Sequence, residues 1–115
     1  MKVRYTDMPR KKIKLDSRYH DTLLLMTKDG IYAARDLMGR TPIILGHKDG
    51  ANVACFESFS YMNLQYHYVR DLGPGEMAEL TPEGDVSVLA PGDQLAICSF
   101  LWVYYGYPAS TYEGR

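Results

Sequence analysis

Turn signals recur at short intervals along most of this sequence, and this spacing limits the segments between them to short strands or single-turn helices. Asp29-Gly30 and Asp49-Gly50 accept the backbone of a tight hairpin, and we expect a type I′ turn at the first pair. In 72–75 and 82–84, Pro fixes φ and Gly supplies a permissive position. Successive hairpins of this kind predict an α+β domain, mainly antiparallel β hairpins with one or two short helices.

The segments between the turns are rich in the apolar, β-branched and aromatic residues typical of strands. Strands are predicted at Thr22–Thr27, Ile31–Arg35, Ile43–Leu45, Asn52–Phe56, Tyr66–Arg70, Glu76–Leu80 and Val86–Leu89. Residues 57–65 break this pattern and predict a short helix, with Phe59, Met62 and Leu64 on one face. The aromatic segment 94–108 fits either a strand or a helix. An exposed aromatic surface of this size is a liability, so we expect the segment to pack on this domain's sheet or on another part of a larger protein.

Charge is distributed unevenly along the 115 residues. Residues 1–20 hold seven basic and two acidic side chains, a net +5, and the remainder carries −6 because the whole chain carries −1. A basic arm of this kind either contacts nucleic acid or packs on its own or a neighbouring domain. We favour packing, since the acidic body repels phosphate, and we do not expect nucleic acid to be a partner.

No targeting or membrane segment is expected. The apolar runs are all shorter than the ~20 residues needed to cross a bilayer, and the first residues contain no apolar signal core. The sequence therefore predicts a cytoplasmic protein without a membrane partner.

Motifs for catalysis are absent. Cys55 and Cys98 have no second Cys or His at metal-ligand spacing and are expected to be buried free thiols. His20, His47 and His67 lie near strand ends or on polar strand positions, away from any nucleophile motif. No Gly-rich loop leads into a helix. We therefore expect no catalytic, substrate-binding or metal site residues in this chain, and no cofactor.

Four stretches, in matching order and spacing, resemble the glutaminase domain of the amidophosphoribosyltransferases, which are class II glutamine amidotransferases. They are GIYAARDLMGRTPIILG at 30–46, CFESFSY at 55–61, VRDLGPGEMAELTPEG at 69–84 and CSFLWVYYGYPASTYEG at 98–114. The resemblance implies that the chain is part of an αββα N-terminal-nucleophile hydrolase sandwich, from the C-terminal part of the glutaminase domain.

The same resemblance implies that the family's catalytic residues have no counterpart in this chain. The family's nucleophile is an N-terminal Cys whose α-amino group serves as the base, whereas both cysteines here are internal. The matched motif residues are implied to be structural turn residues; they are Arg35, Asp36, Gly39, Arg70, Asp71, Pro74, Gly75 and Glu76. The chain departs from the family pattern at several positions, which indicates a divergent subfamily; they are Phe56, Arg40, Leu101, Tyr107 and Ala109.

Three parts follow from these observations. Residues 1–20 form the basic lead-in arm, 21–97 a partial glutamine amidotransferase type 2 domain, and 98–115 an aromatic segment leading toward a phosphoribosyltransferase domain. The expected function is that of scaffold in an amidophosphoribosyltransferase-like protein, inactive as this chain alone. A stand-alone, non-catalytic protein-binding module of the same fold is the alternative. In either case the partner is the rest of a parent chain or a second copy, met through the 98–112 aromatic segment.

Overall fold

Seven strands and two short helices make up residues 22–114, the part of the chain that this computed structural model describes. The basic arm 1–20, with His20, lies outside the described residues. The strands are β1 Leu23–Met26, β2 Ile31–Ala34, β3 Ile44–Lys48, β4 Ala51–Cys55, β5 His67–Asp71, β6 Met77–Thr81 and β7 Gly84–Leu89. The α-helix α1 is Phe59–Leu64, and a π-helix spans Leu101–Tyr105. The predicted α+β class of antiparallel hairpins with short helices is confirmed.

The strands form two antiparallel sheets. The four-stranded sheet has the order β1-β2-β6-β7, and the three-stranded sheet has the order β4-β3-β5. The hairpins predicted from the turn signals join β1 to β2, β3 to β4 and β6 to β7. Every predicted strand is present, with bounds within two residues of those expected, except that β3 continues three residues further, to Lys48.

The predicted type I′ turn at Asp29-Gly30 is wrong, although the hairpin is correct. Met26 pairs with Ile31, so four residues form the loop, and Gly30 does not adopt a positive φ. The Thr27 hydroxyl accepts hydrogen bonds from the backbone N–H groups of both Asp29 and Gly30, at 3.2 Å each. This side chain therefore organises the loop, a role that the Asp-Gly pair alone did not reveal.

The main core lies between the two sheets. Its buried members are Ala33, Ala78 and Leu80 from the four-stranded sheet and Ile43, Leu45 and Leu72 from or beside the three-stranded sheet. Small alanines on β2 and β6 let the sheets approach each other closely.

A second cluster covers the opposite face of the three-stranded sheet. Ile44 points away from Leu45, as strand alternation requires, and packs with Tyr61 of α1 and with Tyr112. The Tyr61 hydroxyl donates a hydrogen bond to the Ile44 carbonyl. Gly46 leaves room for the Tyr61 ring, since a Cβ there would lie 3.1 Å from it. Strand β3 is thus buried on both faces and is the centre of the fold.

The middle of the aromatic segment is helical, whereas residues 94–98 and 106–108 are irregular. The N–H of Gly106 donates to the Leu101 carbonyl at 2.9 Å, which closes one π-helical turn. Of the two predicted alternatives, the structure therefore supports the helix over this middle part and shows no strand among residues 94–108. Among the described residues, no helix has the length and apolar character needed to span a membrane.

Candidate functional site

Two turn motifs with acidic and basic side chains meet beside the three-stranded sheet, and they form a buried polar network. The first turn follows β2 and contains Arg35, Asp36 and Gly39; the second follows β5 and contains Pro74, Gly75 and Glu76. The Arg35 N–H donates to the Glu76 carbonyl at 2.9 Å, and the Gly75 N–H donates to the Asp36 carbonyl at 2.8 Å. The two sequence motifs are therefore one structural unit.

Arg35 is the centre of this network. Its side chain is 1% exposed, and its guanidinium donates to the carbonyl oxygens of Thr41 at 3.0 Å and Gly39 at 2.7 Å. It also donates to the Leu72 carbonyl and forms an ion pair with the Glu113 carboxylate. A buried guanidinium is stable only when its donors and its charge are satisfied, and these partners satisfy both.

Asp36 shapes the first turn. Its carboxylate accepts hydrogen bonds from the N–H groups of Met38, at 3.2 Å, and Thr41, at 3.3 Å. Gly39 adopts a φ of +63°, and a Cβ there would lie 2.8 Å from the Leu95 side chain. Gly is therefore required at position 39 both by the backbone conformation and by the close packing.

Glu76 and Arg70 form a second ionic cluster that ties β5 to β7. The Arg70 guanidinium lies 2.8 Å from Glu76 Oε1 and 2.7 Å from Asp85 Oδ2. Glu76 also accepts the Gly73 N–H at 2.7 Å, which closes the second turn. The two carboxylates raise the pKa of Arg70, against the opposing effect of burial.

Asp71 lies near the Arg35–Glu113 pair, in a buried position where ionisation of its carboxyl is unfavourable. Burial raises the pKa of its carboxyl, and the Glu113 carboxylate adds to that shift. A hydrogen bond from the Tyr68 hydroxyl, at 2.9 Å, and the attraction of Arg35 oppose it.

The residues after the π-helix run back over α1. The rings of Tyr107 and Phe59 stack with centroids 4.4 Å apart, the Ser110 hydroxyl donates to Glu57 at 2.5 Å, and the Thr111 N–H donates to the Ser58 hydroxyl at 2.7 Å. The sequence alone did not reveal the roles of Glu57 and Ser58 in these contacts, or of Glu113 in the ion pair with Arg35. In each case the two partners are more than 50 positions apart, and such a distance leaves no local signal.

One face of the aromatic segment is covered and the other is exposed. Trp102 packs against the second cluster, with its ring centroid 5.5 Å from that of Tyr112. The exposed members form what we call the aromatic surface; they are Phe100, Val103, Tyr104, Tyr105 and Tyr107, with exposed fractions of 51–73%. From Gln94 to Tyr112 the chain carries no acidic or basic side chain. The expected packing on the sheet is therefore only partial.

The remaining polar candidates within residues 22–114 lie in separate places and bond to nearby groups. Cys55 and Cys98 are free, as expected, but both are partly rather than fully buried. The Cys55 thiol donates to the Glu57 carbonyl at 2.8 Å. His47 pairs in register with His67 and bonds to Asn52 at 2.8 Å. Within residues 22–114 no three His, Cys, Asp or Glu side chains are arranged to hold a metal ion.

Comparisons with known proteins agree with the motif resemblance. No protein-family model matches the chain. The amidophosphoribosyltransferases of Rhizobium etli and Drosophila melanogaster are both 31% identical to it, over 100 and 112 residues. The human enzyme is 29% identical over 113 residues. Each alignment covers 82% of this chain, which spans about a fifth of the length of these relatives.

Solved structures show the same similarity. The glutamine phosphoribosylpyrophosphate amidotransferase of B. subtilis, solved with ADP and GMP, superposes with a TM-score of 0.71 and 28% identity. The match covers 81% of this chain and 21% of that one. The resemblance derived from the four motifs is therefore confirmed, as is the predicted fold class.

The Arg35–Glu113 ion pair yields a first prediction. Glu113→Ala leaves a buried guanidinium without its carboxylate, so we expect the free energy of unfolding to fall by about 2 kcal/mol. Glu113→Gln keeps an acceptor oxygen and should lose less. Glu83→Ala, at an exposed turn position, is the matched control and should have little effect. Urea unfolding measures all three, and equal stability of Glu113→Ala and Glu83→Ala would contradict a stabilising role of the pair.

The raised pKa of Asp71 predicts a dependence of stability on pH. A carboxyl with a raised pKa in the folded state binds its proton more tightly there than in the unfolded chain. Its contribution to stability is thus present below the ordinary Asp pKa of about 3.9 and is lost as pH rises through the folded value. Asp71→Asn removes this loss, so the variant should be more stable than the wild type at pH 7, with the difference shrinking in acid.

Urea unfolding at several pH values tests this expectation for Asp71. The exposed Asp93→Asn is the control and should show no such pH-dependent difference. An Asp71→Asn variant that is less stable at pH 7 would mean that the attraction of Arg35 outweighs the effect of burial.

Proposed function

Because 82% of this chain is homologous to one region of the amidophosphoribosyltransferases, we propose that it forms part of the glutaminase domain of an amidophosphoribosyltransferase-like protein. The observation that carries the proposal is the joint agreement of sequence, at 31% identity, and of fold, at a TM-score of 0.71. The whole protein would release ammonia from glutamine and transfer it to phosphoribosyl pyrophosphate in the cytoplasm, at the start of purine synthesis.

In this proposal the chain supplies scaffold rather than reacting groups. Four acidic and basic side chains of the two matched stretches bond internally: Arg35 with Glu113, Asp36 with backbone N–H groups, and Arg70 with Glu76. The family's catalytic Cys acts through a free α-amino group, which an internal thiol such as Cys55 does not have. The network would hold the rear of the sandwich rigid while groups elsewhere in the parent protein perform the chemistry.

The aromatic surface favours a second candidate, a stand-alone protein-binding module of the same fold. Five large apolar side chains that are at least half exposed form a patch of the composition found at protein interfaces. In both candidates this surface, within the 98–112 segment, is the contact site, either for the rest of a parent chain or for a second copy.

The coding sequence around this segment distinguishes the two candidates. For the parent protein we expect an open reading frame that continues on both sides, with an upstream Met-Cys start and a downstream pyrophosphate-binding loop. Stop codons directly flanking the 115 codons would reject the parent protein and leave the module. Glutaminase activity of the purified 115-residue chain, assayed beside the B. subtilis enzyme, would reject the scaffold role.

The aromatic surface predicts self-association of the isolated chain. At tens of micromolar we expect the wild type to elute from gel filtration above its monomer mass, because these rings are at least half exposed. Tyr104→Ser/Tyr105→Ser should shift the protein toward the monomer. The control is Met62→Ser, which removes a side chain of similar exposure, 71%, from α1 and should behave as the wild type. A strictly monomeric wild type would argue against this contact surface.

A further inference from the structure

Two histidines lie opposite each other on neighbouring strands of the three-stranded sheet. His47 of β3 and His67 of β5 are paired in register, and directly opposed residues have Cβ atoms roughly 4.5–5.5 Å apart on one face of the sheet. The two positions are far apart in sequence, so no local ligand motif marks them. The fold thus brings together two imidazoles, a side chain that suits transition metals such as Zn²⁺, Cu²⁺ and Ni²⁺.

Both imidazoles lie on the face of the three-stranded sheet that is opposite to α1. Leu45 belongs to the core between the sheets, whereas Gly46 lies against Tyr61 of α1. Strand alternation therefore returns His47 to the inter-sheet face, and His67 opposite it shares that face. His47 is half-buried and His67 is exposed, so the pair is accessible from solvent.

Asn52 determines which nitrogen of the His47 ring carries a proton. It is paired with His47 from β4, and its Nδ2 donates a hydrogen bond to the Thr81 carbonyl at the end of β6. The amide is thereby oriented with its Oδ1 toward the ring, 2.8 Å from His47 Nδ1. Because an amide oxygen can only accept, Nδ1 carries the proton, and in the neutral ring Nε2 keeps its lone pair.

This hydrogen-bond pattern is the one that supports metal-binding histidines in proteins. A ligating imidazole almost always donates its other N–H to an oxygen acceptor, which fixes the tautomer and the ring orientation and raises the basicity of the ligand. Here Thr81 orients Asn52 and Asn52 orients His47, while His67 supplies a second imidazole from the neighbouring strand. Two protein ligands leave the other coordination positions to water, as in an open metal site.

The neighbouring lysine is directed away from the histidine pair. Lys48 follows His47 on β3, and consecutive side chains of a strand point to opposite faces. Its Nζ lies 4.4 Å from the centre of the Tyr66 ring and donates to the Leu64 carbonyl at 3.5 Å, which places the ammonium group beside the end of α1. The positive charge of Lys48 is therefore held on the other side of the sheet, where it does not oppose a metal ion.

We propose that His47 and His67 bind a divalent transition-metal ion of the class that prefers imidazole, with Asn52 as the positioning residue that holds the His47 ring. The ion links β5 to β3 and, because it binds the folded chain, raises its stability. Mg²⁺ prefers oxygen ligands and does not compete for this site. The proposal does not depend on the proposed function.

Calorimetric titration of the full chain with Zn²⁺ tests the proposal. We expect one Zn²⁺ per chain and no binding of Mg²⁺ under the same conditions. His47→Gln and His67→Gln should each weaken Zn²⁺ binding by more than about tenfold, and Asn52→Leu by about tenfold, as loss of an outer partner of a ligand does. The matched control, His20→Gln, removes the third histidine of the chain and should bind Zn²⁺ as the wild type does.

Nitrogen NMR of the histidine rings gives a second test, which needs no variant. Without metal, the neutral His47 ring should carry its proton on Nδ1, and Zn²⁺ should shift the signals of His47 Nε2 and of one His67 nitrogen. Asn52→Leu should remove the preference for Nδ1–H while its amide spectrum remains that of a folded chain, which a purely structural role of Asn52 does not predict. A proton on Nε2 of wild-type His47, unchanged affinity in His67→Gln, or one ion shared by two chains would overturn the proposal.

Discussion

The buried guanidinium of Arg35 is the constraint on which the other parts of this structure depend. Its partners come from the first turn, from Leu72 beside the second turn, and from Glu113 near the end of the described residues. Burying a charge is unfavourable unless every partner is in place, so each of these segments fixes the position of the others. Glu113 even adopts a φ of 50°, a conformation that is unfavourable for a residue with a side chain. The ion pair offsets that cost and holds the segment after the aromatic helix against the sheet.

The two cores depend on this arrangement through β3. Ile44 and Leu45 are neighbours in sequence but belong to different clusters, one under α1 and one between the sheets. A one-residue slip of β3 would exchange these faces and place Gly46 and His47 in the cores. The Leu72 N–H donates to the Ile43 carbonyl at 2.9 Å, so the turn that Arg35 holds also fixes the start of β3. The polar network thus sets the register on which the apolar packing relies.

The sequence predicted what is determined locally. Strands and hairpins were predictable because their turn residues and side-chain periods act over two to eight residues. The division into a four-stranded and a three-stranded sheet was not predictable. It requires β2 to pair with β6, more than 40 residues away, and no local signal marks that pairing. The loop at Thr27 shows a similar limit of prediction. Hydrogen bonds to the Thr27 hydroxyl stabilise a four-residue loop there, in place of the expected type I′ turn. Arg is rarely buried, so composition and periodicity gave no reason to expect Arg35 in the interior. Only the resemblance to the family motif identified it, and then as a turn residue.

Two apolar regions differ in the kind of partner that each can accept. The first is a groove of about 250 Å³ between the two sheets, bordered by Leu24, Met26 and β4, which among the described residues pairs only with β3. An occupant of this groove can therefore use backbone hydrogen bonds as well as apolar contacts. The aromatic surface stands on a π-helix whose backbone bonds internally, so it offers only ring faces and hydroxyl groups. A chain segment suits the first and a folded surface suits the second. None of the side chains of the aromatic surface borders the groove, so occupation of the groove leaves that surface free to bind. A protein whose groove is occupied would therefore still present the aromatic surface to a parent domain or to a second copy.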